Sequence, residues 1–392
     1  MTPGARVAAA IDVLARVLDG AAAERELTRW ARASRFAGSK DRAAVRDIVF
    51  ACLRNLRSYQ ARAGGQGARA AVIGWCIANA DDLGDIFSGH GYSANVLTEG
   101  ELAGISQSPP MPKAEQYDLQ DWVWHALVAD LGEDKAGTCA IALQDRAPLD
   151  LRVNLAKGTR DAAQESLLAA GLETQKVVGV ETALRSDAHS GRIVQMAPYT
   201  FGFVEIQDAA SQALVAVIPL QDGTRVLDFC AGGGGKTLAM AAAYPSCRFA
   251  AWDVAPQRLA QLPPRATRAG ATVTCLSARP GEADYDLVLV DAPCSGSGAW
   301  RRSPEAKWRL TESGLDELIA TQRSILSAAW QCVAPGGTLV FATCSVLRAE
   351  NEANVAWFQA QNGVPSTSEA RWPVGAPGDG FFLATFVRPL SR

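Results

Sequence analysis

The chain has 392 residues, of which 48% are hydrophobic and 20% are charged, and its formal net charge is −3. This length predicts two or three domains, and because no apolar run reaches the ~18 residues of a membrane span, a membrane protein is not expected. The N-terminal stretch RVAAAIDVLARVL is interrupted by Asp12 and Arg16, which favours an amphipathic helix over a signal peptide.

Cysteine and histidine usage argues against a metal site. The nine cysteines are an odd number, are scattered through apolar segments and form no CxxC pair. We therefore expect free thiols in a reducing cytoplasm, and neither a disulfide framework nor a zinc centre. The three histidines, His90, His125 and His189, lie in no motif, so a histidine-based triad is not expected either.

Residues 1–145 are predicted to form an all-helical domain, since Val7, Ile11 and Leu14 keep the helical spacing that recurs further along. The segment from Arg25 to Arg62 holds ten Lys or Arg residues and three acids, a local charge of +7. Such a segment is a candidate RNA anchor, although a solvated helical face has the same composition.

The pattern changes after residue 145. In 146–205, the stretches LDLRVNL and LETQKVV alternate like strands on either side of the helical TRDAAQESLLAAG, which predicts a small α/β module. In 206–392, helices separate the strands TRVLDFC, CRFAAWD, ATVTCL, YDLVLVD and GTLVFATC. Because these strands lack alternation, both of their faces are covered, which predicts a doubly wound, Rossmann-like parallel sheet with ligands at the carboxyl ends of its strands.

A glycine-rich turn, VLDFCAGGGGKT, follows the first strand of this predicted sheet. Its glycines let the backbone approach a ligand, and the helix that comes next presents free N–H groups to an anion. Asp253 ends the next strand about twenty residues on, where an acid accepts hydrogen bonds from ribose hydroxyls. NAD and S-adenosylmethionine both fit this pattern, and a tight turn with Asp253 as a helix cap is the purely structural alternative.

Two cysteines leave strands of this sheet, Cys294 in DAPC and Cys344 in ATCS. Loops placed by a rigid sheet often carry chemistry, whereas the other cysteines are typical of small core residues. A thiolate that adds to carbon 6 of cytosine makes carbon 5 nucleophilic toward a methyl sulfonium, and Asp291 would hydrogen-bond the ring. This chemistry favours S-adenosylmethionine over NAD, but it does not rank the two thiols.

Together these segments resemble the RNA (cytosine-5) methyltransferases of the bacterial small-subunit ribosomal RNA type. The matching pieces are VEIQDAASQ, DFCAGGGGKT, WDVAPQRL, DLVLVDAPCSGSGAWRRSPEAKW, ATCSVLRAENE and GDGFFLATF, between about 205 and 386. The resemblance implies that 206–392 is an S-adenosylmethionine-dependent methyltransferase domain. The helical region resembles the antiterminator-like RNA-binding domain of many members, and 146–205 resembles their small α/β RNA-binding module.

The resemblance also implies roles for individual residues. Cys344 would be the nucleophile, Cys294 would help to release the product, and Asp291 and Lys236 would complete the catalytic set. The S-adenosylmethionine pocket would be lined by residues of the glycine loop and the strand ends, namely Cys230, Ala231, Gly232, Gly233, Gly234, Gly235, Lys236, Asp253, Arg258 and Asp291.

The sequence departs from the family pattern in two places. The glycine loop has Ala-Gly-Gly-Gly-Gly where the family usually has Ala-Ala-Pro-Gly-Gly, which keeps the shape and adds flexibility. Ser277 or Arg279 stands where the family usually carries an acid near the adenine. We therefore expect weaker adenine contacts, or contacts supplied by the backbone.

Basic residues follow the Cys294 loop closely. Beside a pocket that accepts a nucleotide, they are expected to hold phosphates that flank an unstacked target cytosine, unless they form a solvated face. They are Arg301, Arg302, Lys307 and Arg309, and the neighbouring Trp300 and Trp308 are candidates for base stacking or for the core.

Three other functions stay open on the sequence alone. One is a transfer-RNA cytosine-5 methyltransferase. Another is a methyltransferase for an exocyclic amine, but such sites typically stack an aromatic residue where this chain has Cys294. The last is a non-catalytic RNA-binding or ribosome-assembly factor that retains the fold, which loss of Cys344 or Asp291 would have suggested.

Overall fold

The computed structural model describes residues 1–107, 110–187 and 190–390, and its contacts divide the chain into two compact units. One comprises Met1–Arg146 with Trp300–Thr311, and the other comprises Ala147–Ala299 with Glu312–Arg392. The first division lies beside the predicted boundary at 145. The contacts do not separate residues 146–205 from the larger α/β region, so the boundary at 205 stays a prediction. His189 lies outside the described residues.

The first unit is built from helices in the part of the chain that the structure describes. They are α1 (Pro3–Leu18), α2 (Ala23–Ala33), α3 (Ser39–Arg54), α4 (Leu56–Ala63), α5 (Gly67–Ala78), α6 (Leu83–Ile86), α7 (Glu99–Ser106), α8 (Lys113–Gln116), α9 (Asp121–Leu131) and α10 (Glu133–Gln144). Apolar residues at helical spacing meet between α1, α3 and α5, where Val13, Val49 and Ile73 are buried. The prediction of a helical region is confirmed.

The second unit contains two sheets and the helices around them. The strands are β1 (Leu149–Val153), β2 (Gln175–Lys176), β3 (Ala183–Ser186), β4 (Val204–Ile206), β5 (Arg225–Asp228), β6 (Arg248–Ala251), β7 (Val273–Cys275), β8 (Tyr285–Asp291), β9 (Val333–Thr343), β10 (Ser366–Trp372) and β11 (Phe381–Val387). The later helices are α11 (Arg160–Ala169), α12 (Ser190–Ile193), α13 (Ala197–Thr200), α14 (Ala209–Ala216), α15 (Gly235–Ala243), α16 (Pro256–Leu259), α17 (Leu262–Ala269), α18 (Pro304–Arg309, in the first unit), α19 (Glu312–Cys332) and α20 (Glu352–Asn362).

The smaller sheet is antiparallel, with strand order β2-β3-β1-β4. Its strand β1 and helix α11 lie where the sequence predicts them, and the Thr159 hydroxyl caps α11 by accepting from the amide of Ala162. The predicted strand LETQKVV is wrong in extent, because only Gln175–Lys176 pair, and they are exposed. The more extensive pairing with β1 comes from β3, which the sequence pattern does not reveal.

The larger sheet has strand order β10-β11-β9-β8-β5-β6-β7. Strands β9, β8, β5, β6 and β7 are parallel, as predicted. The chain runs outward from β5 to β7 and then returns to β8, so the strand order reverses between β5 and β8. The carboxyl ends of strands at such a reversal form the usual ligand-binding crevice of an open α/β sheet.

Both faces of the larger sheet are covered, which explains its unbroken apolar runs. On β8, Val288 and Val290 pack with the cluster that holds Leu326 of α19 and Phe358 of α20. The alternate residues of β8, Leu287 and Leu289, pack with the cluster on the opposite face, which includes Met240 of α15.

One edge of the larger sheet differs from the prediction. Strand β11 pairs antiparallel with β9, and β10 pairs antiparallel with β11. The sheet is therefore mixed, although its central strands form the predicted parallel core. No helix in the described ranges combines the length and the apolar character needed to cross a bilayer.

Candidate active site

The carboxyl ends of β5, β8 and β9 bring the candidate residues to one edge of the larger sheet. Asp228 at the end of β5 is in register with Leu289 of β8, and Asp291 at the end of β8 is in register with Ala342 of β9. Cys344 follows the last residue of β9 directly. The segments after these strands therefore start side by side.

The glycine loop connects β5 to α15 through left-handed backbone conformations. Gly232 and Gly234 have φ angles of 52° and 80°, in the left-handed region that favours glycine. A Cβ atom on Gly234 would lie 2.2 Å from Leu262 Cδ1. The loop leads into α15 at Gly235, where the first turn of the helix presents backbone N–H groups.

Asp253 lies after β6, against the glycine loop. Its Oδ2 accepts from the amide of Gly232 at 2.8 Å, and its Oδ1 accepts from the amide of Ala255 at 2.8 Å. Arg258 Nη1 lies 3.6 Å from Oδ2. The carboxylate therefore orders both its own turn and the glycine loop, and a carboxylate retains further lone pairs for a ligand hydroxyl.

Lys236 and Asp291 form an ion pair, with Nζ 2.7 Å from Oδ2. The Lys236 ammonium also lies 5.0 Å from the centre of the Phe381 ring. Burial alone would lower the pKa of Lys236, but the negative charge and hydrogen bond of Asp291 outweigh it and raise that pKa. Lys236 therefore stays a cation, and Asp291 presents a carboxylate that is partly exposed.

The two candidate thiols are in contact. Cys294 Sγ lies 3.4 Å from Cys344 Sγ, and both residues are partly buried. The hydrogen bond to Cys344 raises the pKa of Cys294 well above its usual range, with burial acting in the same direction. Cys294 therefore keeps its proton, and the two sulfurs are close enough for one thiol to hydrogen-bond the other.

Burial also raises the pKa values of two groups at and just after the end of β5, Cys230 and Asp228. Burial raises the pKa of Cys230 far above its usual range, so this cysteine stays a thiol. Burial also raises the pKa of Asp228 to about 7. The Asp228 carboxyl is fully enclosed and accepts a hydrogen bond from the Thr237 hydroxyl at 2.6 Å.

The structure adds a buried carboxylate that the sequence pattern did not single out. Glu350 is 0% exposed and accepts hydrogen bonds from Ser295 and Ser345, the residues that directly follow the two cysteines. Glu350 lies in the polar stretch RAEN after Cys344. From the sequence alone, such a stretch is typical of an exposed loop.

The basic residues after the Cys294 loop contradict one prediction. They belong to the helical unit, and Lys307 is buried there, donating from Nζ to the Arg54 carbonyl at 3.0 Å. Burial lowers the pKa of Lys307 to about 8. Arg301 is also buried, and Trp308 donates from Nε1 to the Leu53 carbonyl at 2.7 Å. A phosphate-binding role for Lys307 and Arg301 is therefore wrong, because their stems and charges are enclosed by protein.

Comparison with known families identifies these segments. Residues 215–387, which contain the glycine loop and both cysteines, match the family model described as 16S rRNA methyltransferase RsmB/F. Residues 120–189 match the model of the RsmF/B-like, ferredoxin-like domain. Over these two segments the chain is similar to the RsmB/F family.

Individual relatives carry related names. The chain is 36% identical over 263 residues to the ribosomal RNA small subunit methyltransferase B of Salmonella arizonae, and 33% identical over 263 residues to that of Erwinia tasmaniensis. Each match covers 63% of this chain and 61% of the relative. The chain thus matches about three fifths of the length of these RsmB/F relatives.

Solved structures share the fold of this chain. The structure described as PH0851 aligns over 98% of this chain and 99% of its own, with a TM-score of 0.77 and 22% identity. NSun6 from Pyrococcus horikoshii, solved with SFG, aligns over 70% of this chain and 99% of its own, with a TM-score of 0.61 and 16% identity. These neighbours establish a Rossmann-like methyltransferase fold.

Proposed function

We propose that this protein transfers a methyl group from S-adenosylmethionine to carbon 5 of a cytosine in small-subunit ribosomal RNA. The observation that carries the proposal is the contact between Cys294 and Cys344, 3.4 Å apart at the ends of neighbouring strands. A methyltransferase for an exocyclic amine needs no thiol, whereas attack on a pyrimidine ring needs a thiolate and a second group to assist its release.

The residues at the strand ends fit S-adenosylmethionine. Gly232 has a φ of 52°, which favours glycine, and the absence of a side chain there leaves the loop open for a close backbone contact. The glycine loop from Cys230 to Lys236 would hold the cofactor, and Asp253 would accept from its ribose. Arg258 and Asp291 would complete the pocket. Ser277 and Arg279 are exposed beyond β7, and the adenine would rely on backbone contacts there.

Attack on the cytosine requires the thiolate form of Cys344. Its sulfur forms a bond to carbon 6 of the cytosine, and the electron pair that this displaces makes carbon 5 nucleophilic. The cofactor, when bound, would supply an electrophilic methyl group to carbon 5, with the methyl–sulfonium bond breaking to leave S-adenosylhomocysteine. Asp291 orients the cytosine by accepting a hydrogen bond from its 4-amino group, and Lys236 holds Asp291 in place and balances its charge.

Cys294 acts in the second half of the reaction. Its proton is held mainly by the hydrogen bond to Cys344. Once Cys344 is a neutral thioether, that contribution is removed, while burial continues to raise the pKa of Cys294. In the proposed step Cys294 gives its proton to solvent and then accepts the proton from carbon 5. The carbon–sulfur bond breaks, the ring double bond re-forms, and Cys344 leaves as a thiolate. One proton is released per methyl group transferred.

The RNA would be held in part by the helical unit. Arg25, Arg32, Arg35 and Lys40 are exposed on or beside α2 and α3, and Phe36 between these helices is 75% exposed. Cations around an exposed aromatic ring suit phosphates and an unstacked base. We place the protein in the cytoplasm, where its cysteines stay reduced.

The test is methylation of RNA by the purified full chain. Ribosomal and transfer RNA from a strain that lacks the protein would be incubated with labelled S-adenosylmethionine, and the product would be mapped. We expect 5-methylcytosine at a single position of small-subunit ribosomal RNA, and none with Cys344→Ala.

The matched control is Cys139→Ala, which removes a partly buried thiol from α10 in the helical unit and should methylate like the unchanged protein. Label found only in transfer RNA would overturn the ribosomal assignment. Label in a different base atom, or unaltered methylation by Cys344→Ala, would refute the cytosine-5 mechanism.

A further inference from the structure

A buried carboxylate joins the two cysteine loops. Glu350 ends the short 3-10 helix Arg348–Glu350 after β9 and is fully enclosed. Its Oε1 accepts from the Ser295 amide at 2.8 Å and from Gln322 Nε2 at 2.9 Å. Its Oε2 accepts from the hydroxyls of Ser295 and Ser345, each at 2.5 Å. A buried carboxylate requires donors of this kind, and Glu350 has four.

These donors tie Glu350 to both thiols at once, because Ser295 follows Cys294 and Ser345 follows Cys344. A second set of contacts fixes the same two loops to each other. The Ser297 hydroxyl lies 2.9 Å from the Ser345 hydroxyl, and the Gly298 amide donates to the Cys344 carbonyl at 2.9 Å.

The carboxylate is itself held from the far side. Gln322 of α19 donates to the Pro293 carbonyl at 3.0 Å, one residue before Cys294, as well as to Glu350. Asn354 of α20 donates to Gln322 Oε1 at 2.7 Å and to the Glu350 carbonyl at 3.0 Å. Glu350 is thus the centre of a buried hydrogen-bond network. Gln322 and Asn354 join it from two helices, and Ser295 and Ser345 join it from the residues next to the two cysteines.

We propose that Glu350 is a positioning residue that holds the Cys294 and Cys344 sulfurs at one fixed separation. The proposal deepens the proposed function, because the second half of the reaction needs Cys294 beside the adduct that Cys344 forms. Glu350 touches neither substrate nor sulfur, and it acts through Ser295 and Ser345.

Glu350→Gln is the variant of choice. The amide has nearly the same shape, and it can still accept from the Ser295 N–H. It places an NH2 group where Oε2 accepts from the two hydroxyls, so both charge-assisted bonds to the serines are lost. The matched control is Glu352→Gln, two residues on, which removes an acid that pairs with Arg371 at 2.5 Å.

Binding of phenylarsine oxide measures the thiol separation directly, since one arsenic atom is chelated by two sulfurs only when they lie close together. Cys294→Ala gives the background from the other cysteines. We expect Glu350→Gln to weaken the specific binding by about tenfold or more, the loss expected when two linked sites no longer engage together. Glu352→Gln should bind like the unchanged protein.

Methyl transfer provides a second readout. A misplacement of about 1 Å can cost about a hundredfold in rate, so kcat should fall by that order in Glu350→Gln while the KM for RNA stays unchanged. The arsenic measurement needs neither RNA nor cofactor. It therefore still tests the positioning role of Glu350, here called the clamp, if the chain methylates no RNA. That result would refute the proposed function and leave the positioning role to be judged by arsenic binding.

Thermal unfolding separates positioning from simple loss of fold. A Glu350→Gln protein that melts earlier, yet binds arsenic and turns over normally per folded molecule, would overturn the proposal. If this variant does not fold, Ser345→Ala decides, because it keeps the carboxylate and removes one anchor. Weakened arsenic binding in Ser345→Ala supports the clamp, and unchanged binding overturns it.

Discussion

Gly234 offers the sharpest test of the cofactor loop. Its φ of 80° places an alanine in the left-handed region, which costs about 1–2 kcal/mol. The added Cβ would also lie 2.2 Å from Leu262 Cδ1 and 2.9 Å from its Cγ. Leu262 is fully buried among Leu238 and Ala266, so it has no free space to move into, and overpacking of this kind costs a further ~1–3 kcal/mol.

Gly234→Ala should therefore lower the free energy of unfolding by about 2–5 kcal/mol, against a typical total of about 5–15 kcal/mol. The matched control is Gly363→Ala at the end of α20, where φ is 66° and a Cβ would meet nothing within 4 Å. The control should lose only the backbone part, about 1–2 kcal/mol.

Urea unfolding followed by tryptophan fluorescence measures both losses, and calorimetry measures S-adenosylmethionine binding. We expect binding to weaken in Gly234→Ala alone, because the loop must shift away from Leu262. Equal losses of stability in the two variants would refute the packing argument, and unchanged binding in Gly234→Ala would remove this loop from the cofactor pocket.

Three further outcomes are expected. Burial raises the pKa of Asp228 to about 7, so the native carboxyl keeps a proton that the unfolded chain loses. Stability should fall by about 4 kcal/mol as the pH rises from about 4 to 7, and Asp228→Asn should flatten this slope in urea titrations; an unaltered slope would contradict the burial argument. Lys236→Met leaves the Asp291 carboxylate without its ammonium, and the loss of about 1.5–3 kcal/mol of charge-assisted bonding should lower kcat by about 10- to 100-fold in steady-state assays; normal kcat would exclude Lys236 from the site. Changing both Arg32 and Arg35 to alanine should reduce the slope of log binding constant against log salt concentration by about 1.4, which filter binding at several KCl concentrations would measure. An unchanged slope would show that these two arginines do not contact the RNA phosphates.

The central strands were predictable because each is an apolar run bounded by turn residues. Once such runs are assigned to one parallel sheet, their ends must share an edge, and the sequence alone thus brings Asp291, Cys294 and Cys344 together. The antiparallel β10 was not predictable, because STSEARW is largely exposed and carries little apolar signal. Strand β4 pairs with β1 over only three residues, which is too short to give a recognisable strand pattern in the sequence.

Burial of charged groups is what the sequence could not reveal. Lys307 and Glu350 both follow a cysteine loop in polar stretches, and both are enclosed. Each is tolerated because specific donors or acceptors meet it, the Arg54 carbonyl for Lys307 and the serine hydroxyls for Glu350. Such partners come from distant parts of the chain, so no local pattern announces them. The contact distance between the two thiols was equally beyond the reach of any sequence pattern.

The central claim is that Cys344 bonds to the target cytosine while Cys294 waits to release it. Mass spectrometry of the protein after incubation with RNA and S-adenosylmethionine tests this most directly. In Cys294→Ala we expect a stable cross-link between methylated RNA and the peptide that contains Cys344. A cross-link on another residue, or product released at the normal rate with no bond to protein, would contradict the account.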